Sequence, residues 1–508
     1  MHVMMILRRV TIESVKTFYS EHLRQSITTS RIFGTSLTGY STIYALSSGQ
    51  GKCGVAVVRI SGSRSLEAMQ KMTKICQPEP RRAYLRSIRD PDNGEVIDKG
   101  LCLWFPGPNS FTGEDSVEFQ VHGGPAVLSA LLTALSKLKF RHALPGEFTK
   151  RAFFNNKLDL VEIEGLADLI HAETEQQRKQ ALLQADGNLS TLYNKWKDIL
   201  SRCVAHLEAF IDFSEEENIE GDVLEKCNNQ LNNLMRQIKN HLADGRKGEI
   251  LRNGVRTVII GEPNVGKSSL LNYLVQRNAA IVSPIAGTTR DIVELSTDIS
   301  GYPIILADTA GIIKKSKDII EKEGVRRAKA YAEKADFIIL MINALAYLES
   351  KKTYEEYLNT YINKLELEDI LLDSGRLQKH CLVIMNKTDL LNEETNERLR
   401  KSGIIGISCV QEEGFDKFLE SATNYFKEIC GNPSREHPTI SQTRHRNHLT
   451  NCLEHLCRYF TIIARENYDI VIATQEIRNA MRELGKVTGH VSTEQILDII
   501  FKEFCIGK

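Results

Sequence analysis

The segment GEPNVGKS at 261–268 constrains this chain more than any other feature. It fits GxxxxGK[ST], stands at the end of the apolar run VRTVIIG (255–261), and opens the helical run SSLLNYLVQ. A strand, a glycine loop and a helix in that order form a phosphate cradle. The glycines let backbone N–H groups curl around phosphates, and the helix start adds partial positive charge there. Asn264, Val265, Gly266 and Ser269 are expected to line that cradle. Lys267 is expected to reach the β- and γ-phosphates, and Ser268 to ligate magnesium.

Four further elements follow in the order a guanine-nucleotide site needs. GTTRD (287–291) lies where a switch segment belongs, with Thr289 the expected second hydroxyl on magnesium. DTAG (308–311) ends the apolar run YPIILAD, so Asp308 can bind magnesium through water and the Gly311 N–H can sense the γ-phosphate. Thr309 and Ala310 belong to the same turn. NKTD (386–389) ends the run CLVIMN. Asp389 can accept from the guanine N1–H and exocyclic amine, a donor pair adenine lacks. Asn386 is expected to support the loop and Lys387 to pack over the base, and Ser408 and Cys409 to close the pocket. The set resembles P-loop GTPases of the translation-factor class. One position departs from Ras-type enzymes. The water-orienting Gln that follows DTAG there is Ile312 here, so catalytic help has to come from elsewhere.

The texture along the chain suggests several domains, and 508 residues are enough for about three. Residues 1–40 are arginine- and hydroxyl-rich and acid-poor, as in a mitochondrial transit segment. Residues 41–158 read as strand-rich, with β-type runs at 55–60, 100–105 and 115–123. Residues 159–250 and 431–508 have helical spacing. Between them, 251–430 alternates near-continuous apolar runs with helices, the pattern of parallel strands buried on both faces. Residues 344–379 look like an extra helical connection within it. The expected fold is therefore a multidomain α/β and α+β chain: a β-rich N-terminal domain, an all-α helical domain, and a doubly wound P-loop domain inserted into the helical one. Lys and Arg total 65 against 65 Asp and Glu, which argues against a polycation and leaves any RNA contact to a local patch. The 11 Cys show no paired spacing, which argues against a disulfide framework and a zinc site. No apolar run is long enough to span a membrane.

Outside the nucleotide motifs, GVAVVRISG (54–62), LWFPGPNSFTGED (103–115), HGGP (122–125), PGEFTKRAFFNNKLDL (145–160) and the terminal FCIGK (504–508) resemble the MnmE/TrmE family of tRNA-modification GTPases in its mitochondrial form. That resemblance implies a GTP-hydrolysing enzyme that modifies C5 of the wobble uridine of mitochondrial tRNAs, with a taurinomethyl or carboxymethylaminomethyl group. It implies a homodimer, an MnmG-type flavoprotein partner carrying FAD, a one-carbon unit from a reduced folate of the 5-formyl-tetrahydrofolate type, and a location in the mitochondrial matrix. The competing class is a GTP-driven switch in ribosome assembly, which has no need of the folate-domain segments or the CIGK ending. KRAF (150–153) and RHRNH (444–448) are candidate basic contacts for tRNA.

By motif position the resemblance carries folate binding to Arg59, Glu118, Lys157 and Lys508. A carboxylate such as Glu118 can read a pterin edge bidentately, and Arg or Lys suits the glutamate tail. It also implies a potassium ion in the place of an arginine finger, with two GTPase domains dimerising across it. Asn264 would offer a side-chain oxygen, and Ser283, Ile285 and Thr288 lie in the segment that would supply carbonyls. Glu321 matches the carboxylate that orients water, with Glu323 as a rival because the segment is one residue longer than usual. Cys505 is either a small buried apolar group or, in a mobile tail, a thiol that takes part in uridine chemistry.

Overall fold

The computed structural model describes residues 41–49, 51–213, 222–277, 294–307, 329–373, 376–377, 380–491, 500–501, 504 and 507. The chain forms two compact units. One comprises residues 1–157 and 498–508, the other residues 158–497.

The first unit is built on β1 (Ile43–Leu46), β2 (Cys53–Ser61), β3 (Tyr84–Arg89), β4 (Val96–Phe105), β5 (Ser116–Gly123) and β6 (Arg141–His142). They form one sheet in the order β3-β4-β5-β2-β1-β6, antiparallel except for the β1–β6 pair. α1 (Ser65–Thr73) and α2 (Pro125–Lys137) supply Met69, Met72, Leu131 and Leu135 to a core with Val58, Ile60, Val117 and Phe119. Strand residues alternate between faces. Ile43 and Ala45, neighbours of Tyr44 in that core, therefore face the other way and pack with Phe148 of α3 (Glu147–Phe154). The chain end returns to this unit. Phe501 and Phe504 are each 3% exposed, the Phe501 ring meets Phe153, and the Ser47 hydroxyl donates to the Gly507 carbonyl at 2.8 Å. A Cβ on Gly507 would come within 1.9 Å of the Leu46 carbonyl, so the close approach needs glycine there.

The second unit opens with helices. α4 (Leu160–His171) starts at a reciprocal capping box, in which Asp159 accepts the Glu162 N–H and Glu162 accepts the Asp159 N–H. α5 (Glu175–Ala185) is capped likewise by Thr174 and Gln177. α6 (Asn188–Phe213), α7 (Asp222–Leu242) and α8 (Lys247–Asn253) follow. Next come β7 (Val255–Ile260), α9 (Lys267–Arg277), β8 (Glu294–Ile299), β9 (Tyr302–Ala307), β10 (Phe337–Asn343), α10 (Ala344–Glu349), α11 (Tyr354–Lys364), α12 (Glu368–Leu371) and the ribbon β11 (Leu372–Asp373) with β12 (Arg376–Leu377). β13 (Cys381–Asn386), α13 (Glu393–Lys401), β14 (Ile405–Gly406), α14 (Phe415–Cys430), α15 (Thr443–Ile463) and α16 (Ile470–Thr488) complete it.

The second sheet runs β14-β13-β10-β7-β9-β8 and is parallel except that β8 pairs antiparallel with β9. Parallel strands alone are expected from the apolar runs. The added edge strand ELSTDI is too polar to announce itself that way. Helices cover both faces: α9 and α14 pack on Ile259, Ile339 and Ile384, and α11 and α13 on Val258, Leu340 and Val383. α6, α7, α15 and α16 share a separate core of Tyr193, Trp196, Leu234, Leu456 and Leu484, so helices on both sides of the sheet in sequence meet in one bundle. Among the described residues no helix is long and apolar enough to cross a membrane.

The arginines of the two basic runs turn away from solvent rather than presenting a basic surface. Arg444 and His445 turn inward onto Glu164, Arg446 onto Asp244 and Glu249, and Arg151 is 2% exposed and paired with Glu114 and Glu147. A buried guanidinium is stable only when paired, and these carboxylates are the partners.

Candidate nucleotide site and a second polar cluster

β7 delivers the chain into the 261–266 loop, and α9 begins at Lys267. Asn264 has φ 59° and Gly266 φ 108°, so the loop turns sharply through left-handed conformations between β7 and α9. A Cβ on Gly266 would lie 2.1 Å from Asn386 Nδ2, so glycine is what lets β13 approach the loop. Lys267 Nζ donates to the Gly261 and Glu262 carbonyls, both at 2.8 Å, and burial lowers its pKa. Ser268 and Ser269 occupy the first turn of α9.

The residues expected to select the base are tied to that loop. Asn386 is 3% exposed; its Nδ2 donates to the Val265 carbonyl at 2.8 Å, and its Oδ1 accepts the Cys409 N–H at 3.2 Å. One amide therefore joins the phosphate loop, the end of β13 and the turn after β14. Lys387 sits in the left-handed region at φ 69°, and Asp389 follows in a short 3₁₀ turn. The Ser408 hydroxyl donates to Asp389 Oδ1 at 2.7 Å and accepts the Gln411 N–H, which orients the carboxylate. Burial pushes the Cys409 thiol up to about 11, so it stays protonated beside Asp389. The structure thus brings together Asn264, Val265, Gly266, Lys267, Ser268, Asn386, Lys387, Asp389, Ser408 and Cys409. Ser283, Ile285, Thr288, Thr289, Asp308, Thr309, Ala310, Gly311, Ile312, Glu321 and Glu323 lie outside the described residues.

These observations stand beside close similarity to known proteins. Residues 160–505 match the family model "MnmE helical domain", and residues 42–157 match "GTP-binding protein TrmE N-terminus". The chain belongs to the MnmE/TrmE family of tRNA-modification GTPases. It is 48% identical over 95% of its length, and 96% of the relative's, to the mitochondrial 5-taurinomethyluridine-[tRNA] synthase subunit GTPB3 of Danio rerio. The human protein of that name is 45% identical, covering 92% of this chain and 93% of the relative. The tRNA modification GTPase MnmE of Rickettsia prowazekii is 44% identical, over 92% of this chain and all of the relative.

In the TrmE-like N-terminal unit, Arg59 and Glu118 face each other across the β2–β5 register. Arg59 Nε donates to Glu118 Oε1 at 2.9 Å, with both side chains about one-fifth exposed. The guanidinium lies over Phe111 at 5.0 Å and Phe148 at 5.9 Å. The neighbouring Ser61, Thr112, Glu114 and Arg151 form a hydrogen-bonded network that holds the 111–114 loop in place. The stem of Lys157 lies against that loop, 3.3 Å from where a Gly113 Cβ would be. Sequence reading passes over Phe111, Phe148 and the Glu114–Arg151 pair, though all four lie inside motifs it singles out. Lys508 and Cys505 lie outside the described residues, but the packed Phe504 and Gly507 on either side of Cys505 are anchored to the first unit, unlike a free tail.

Proposed function

We propose that this chain hydrolyses GTP on the 261–269 loop and, with an MnmG-type flavoprotein, modifies C5 of the wobble uridine of mitochondrial tRNAs. The observation that carries the nucleotide half is the Asn386 bridge, which ties a phosphate cradle to a carboxylate suited to guanine. The mitochondrial setting rests on the mitochondrial GTPB3 relatives, whose name also supplies the taurinomethyl product. The nucleotide-binding domain, residues 251–430, is read as an insertion between α7 and α15 of the helical bundle. Magnesium would be held by Ser268 with Thr289 and, through water, Asp308. Potassium would be held by Asn264 with Ser283, Ile285 and Thr288, and the ion would offset charge developing on the phosphates.

A reduced folate fits the Arg59–Glu118 cluster by chemistry. The carboxylate can accept from a pterin edge, the guanidinium and Lys157 suit its anionic tail, and two aromatic rings lie against the guanidinium. Lys508 completes that set, and the folate supplies a one-carbon unit. Cys505 is read as a thiol participant in the uridine chemistry. Homodimerisation across the GTPase domains and FAD on the partner complete the proposal.

The test is mass analysis of wobble nucleosides in mitochondrial tRNA after loss of this protein, with purified chain assayed for GTP turnover in potassium and in sodium. Loss of the C5 modification and potassium-dependent turnover are expected. Unchanged nucleosides would refute the tRNA role, and equal rates in both salts would refute the ion. Glu321→Ala should cut turnover with little change in GTP affinity, and Cys505→Ser should abolish modification but not hydrolysis.

A further inference from the structure

α11 lies in the connection 344–379 and carries a row of tyrosines. Thr353 caps it through a reciprocal box with Glu356, and Leu358 and Ile362 bury one side against the sheet. Tyr361 is 4% exposed and reaches the root of the phosphate loop. Its hydroxyl donates to the Met341 carbonyl of β10 at 2.8 Å and accepts the Glu262 N–H at 2.8 Å. The loop passes so close to β10 here that a Cβ on Gly261 would lie 2.4 Å from the same Met341 carbonyl. Tyr357 stacks on the Tyr361 ring with centroids 6.0 Å apart, and Lys364 pairs with the Glu262 carboxylate at 2.6 Å. On the opposite side of residue 262, Lys267 holds its carbonyl. Glu262 is thereby fixed at its N–H, its carbonyl and its side chain.

A tyrosine that only fills a core needs one partner for its hydroxyl. This one uses donor and acceptor together, on main-chain groups of two separate segments, and burial keeps it protonated.

We propose that Tyr361 is a positioning residue for GTP: its hydroxyl sets the Gly261–Glu262 turn from which the loop N–H groups and Lys267 reach the phosphates. The inference rests on reading 261–269 as the phosphate loop. An array of amides binds phosphate well only when its geometry is fixed in advance. Removing one oxygen leaves a buried carbonyl and the loop N–H without partners, and the turn relaxes.

The experiment compares full-length wild type, Tyr361→Phe and Tyr357→Phe. Tyr361→Phe should raise the Kd for GDP and GTP about tenfold, the equivalent of one such hydrogen bond. It should keep the wild-type preference for GTP over ITP, because Asp389 and Ser408 are untouched. Hydrogen exchange of the nucleotide-free protein should quicken in the peptide 258–266. Tyr357→Phe should match wild type in all three. A Kd within about twofold of wild type, unchanged exchange at 258–266, or loss of the GTP-over-ITP preference would overturn the inference. A wild-type chain that takes up no guanine nucleotide would instead overturn the nucleotide reading itself.

Discussion

Asn386 shows why the nucleotide site is legible in sequence only in part. NKTD announces the residue type, yet the bond from its amide to the Val265 carbonyl joins positions 121 residues apart. Only the parallel placement of β13 next to β10, and β10 next to β7, brings them together. The same holds for Arg59 and Glu118: each is a lone charge on a strand until the antiparallel register pairs them. Two residue-scale predictions follow from these geometries. On the proposed nucleotide reading, Asp389→Asn turns an acceptor into a donor where the guanine edge would lie. GTP affinity should fall roughly 100-fold, about 3 kcal/mol, while xanthosine triphosphate gains, as a titration of both nucleotides would show. Arg59→Ala should weaken reduced-folate binding and leave GTP binding unchanged. Calorimetric titration with both ligands checks this, and equal folate affinity in the variant would remove Arg59 from the site.

At the scale of elements, α4 and α15 are joined by a buried ionic knot. Glu164 takes Arg444 through both oxygens and His445 Nε2 at 2.6 Å. Burial alone would raise this carboxyl, but His445 and Arg444 hold it at about 2. Burial lowers His445 in spite of Glu164, and its Nδ1 has no partner, so a second ring proton has nothing to bond to. Asp168 goes the other way, pushed to about 6 by burial although Arg252 is its partner. For Glu164 the folded value lies below the ordinary 4.5, so its contribution is present above that pH and is lost as pH falls toward about 2. Glu164→Gln should destabilise the second unit by about 3 kcal/mol at pH 7. Calorimetry from neutral to acid pH should show the gap to wild type closing below about 4.5. A constant gap would mean the carboxylate charge is not what the knot uses. The elements that sequence patterning misses are also explicable. β3 (YLRSIR) and β8 (ELSTDI) are edge strands, and edges carry charges and polar residues that blunt them against pairing with other chains. The central runs, buried on both faces, are the ones that hydrophobicity reveals.

For the whole molecule, the first unit is made from both ends of the chain. Domain-by-domain reading along the sequence places 431–508 with the helices, because periodicity in FKEFCIGK says nothing about which core takes Phe501 and Phe504. Ending the chain after Leu497 should destabilise the first unit by about 3 kcal/mol or more, since two buried phenylalanines are lost. Thermal unfolding of full-length and shortened chains should separate the two transitions, and only the one belonging to the first unit should move. This arrangement also bears on the order in which the protein is made. Domains usually fold as they emerge from the ribosome, N-terminal first. Here the earliest residues of the first unit wait for the last ones, with some 340 residues of the second unit synthesised in between. The packing of the N-terminal unit is therefore completed last, although its sheet is already in hand, and a ribosome that stops a few codons early leaves a chain whose second unit is whole while its first lacks Phe501, Phe504 and the Gly507 contact.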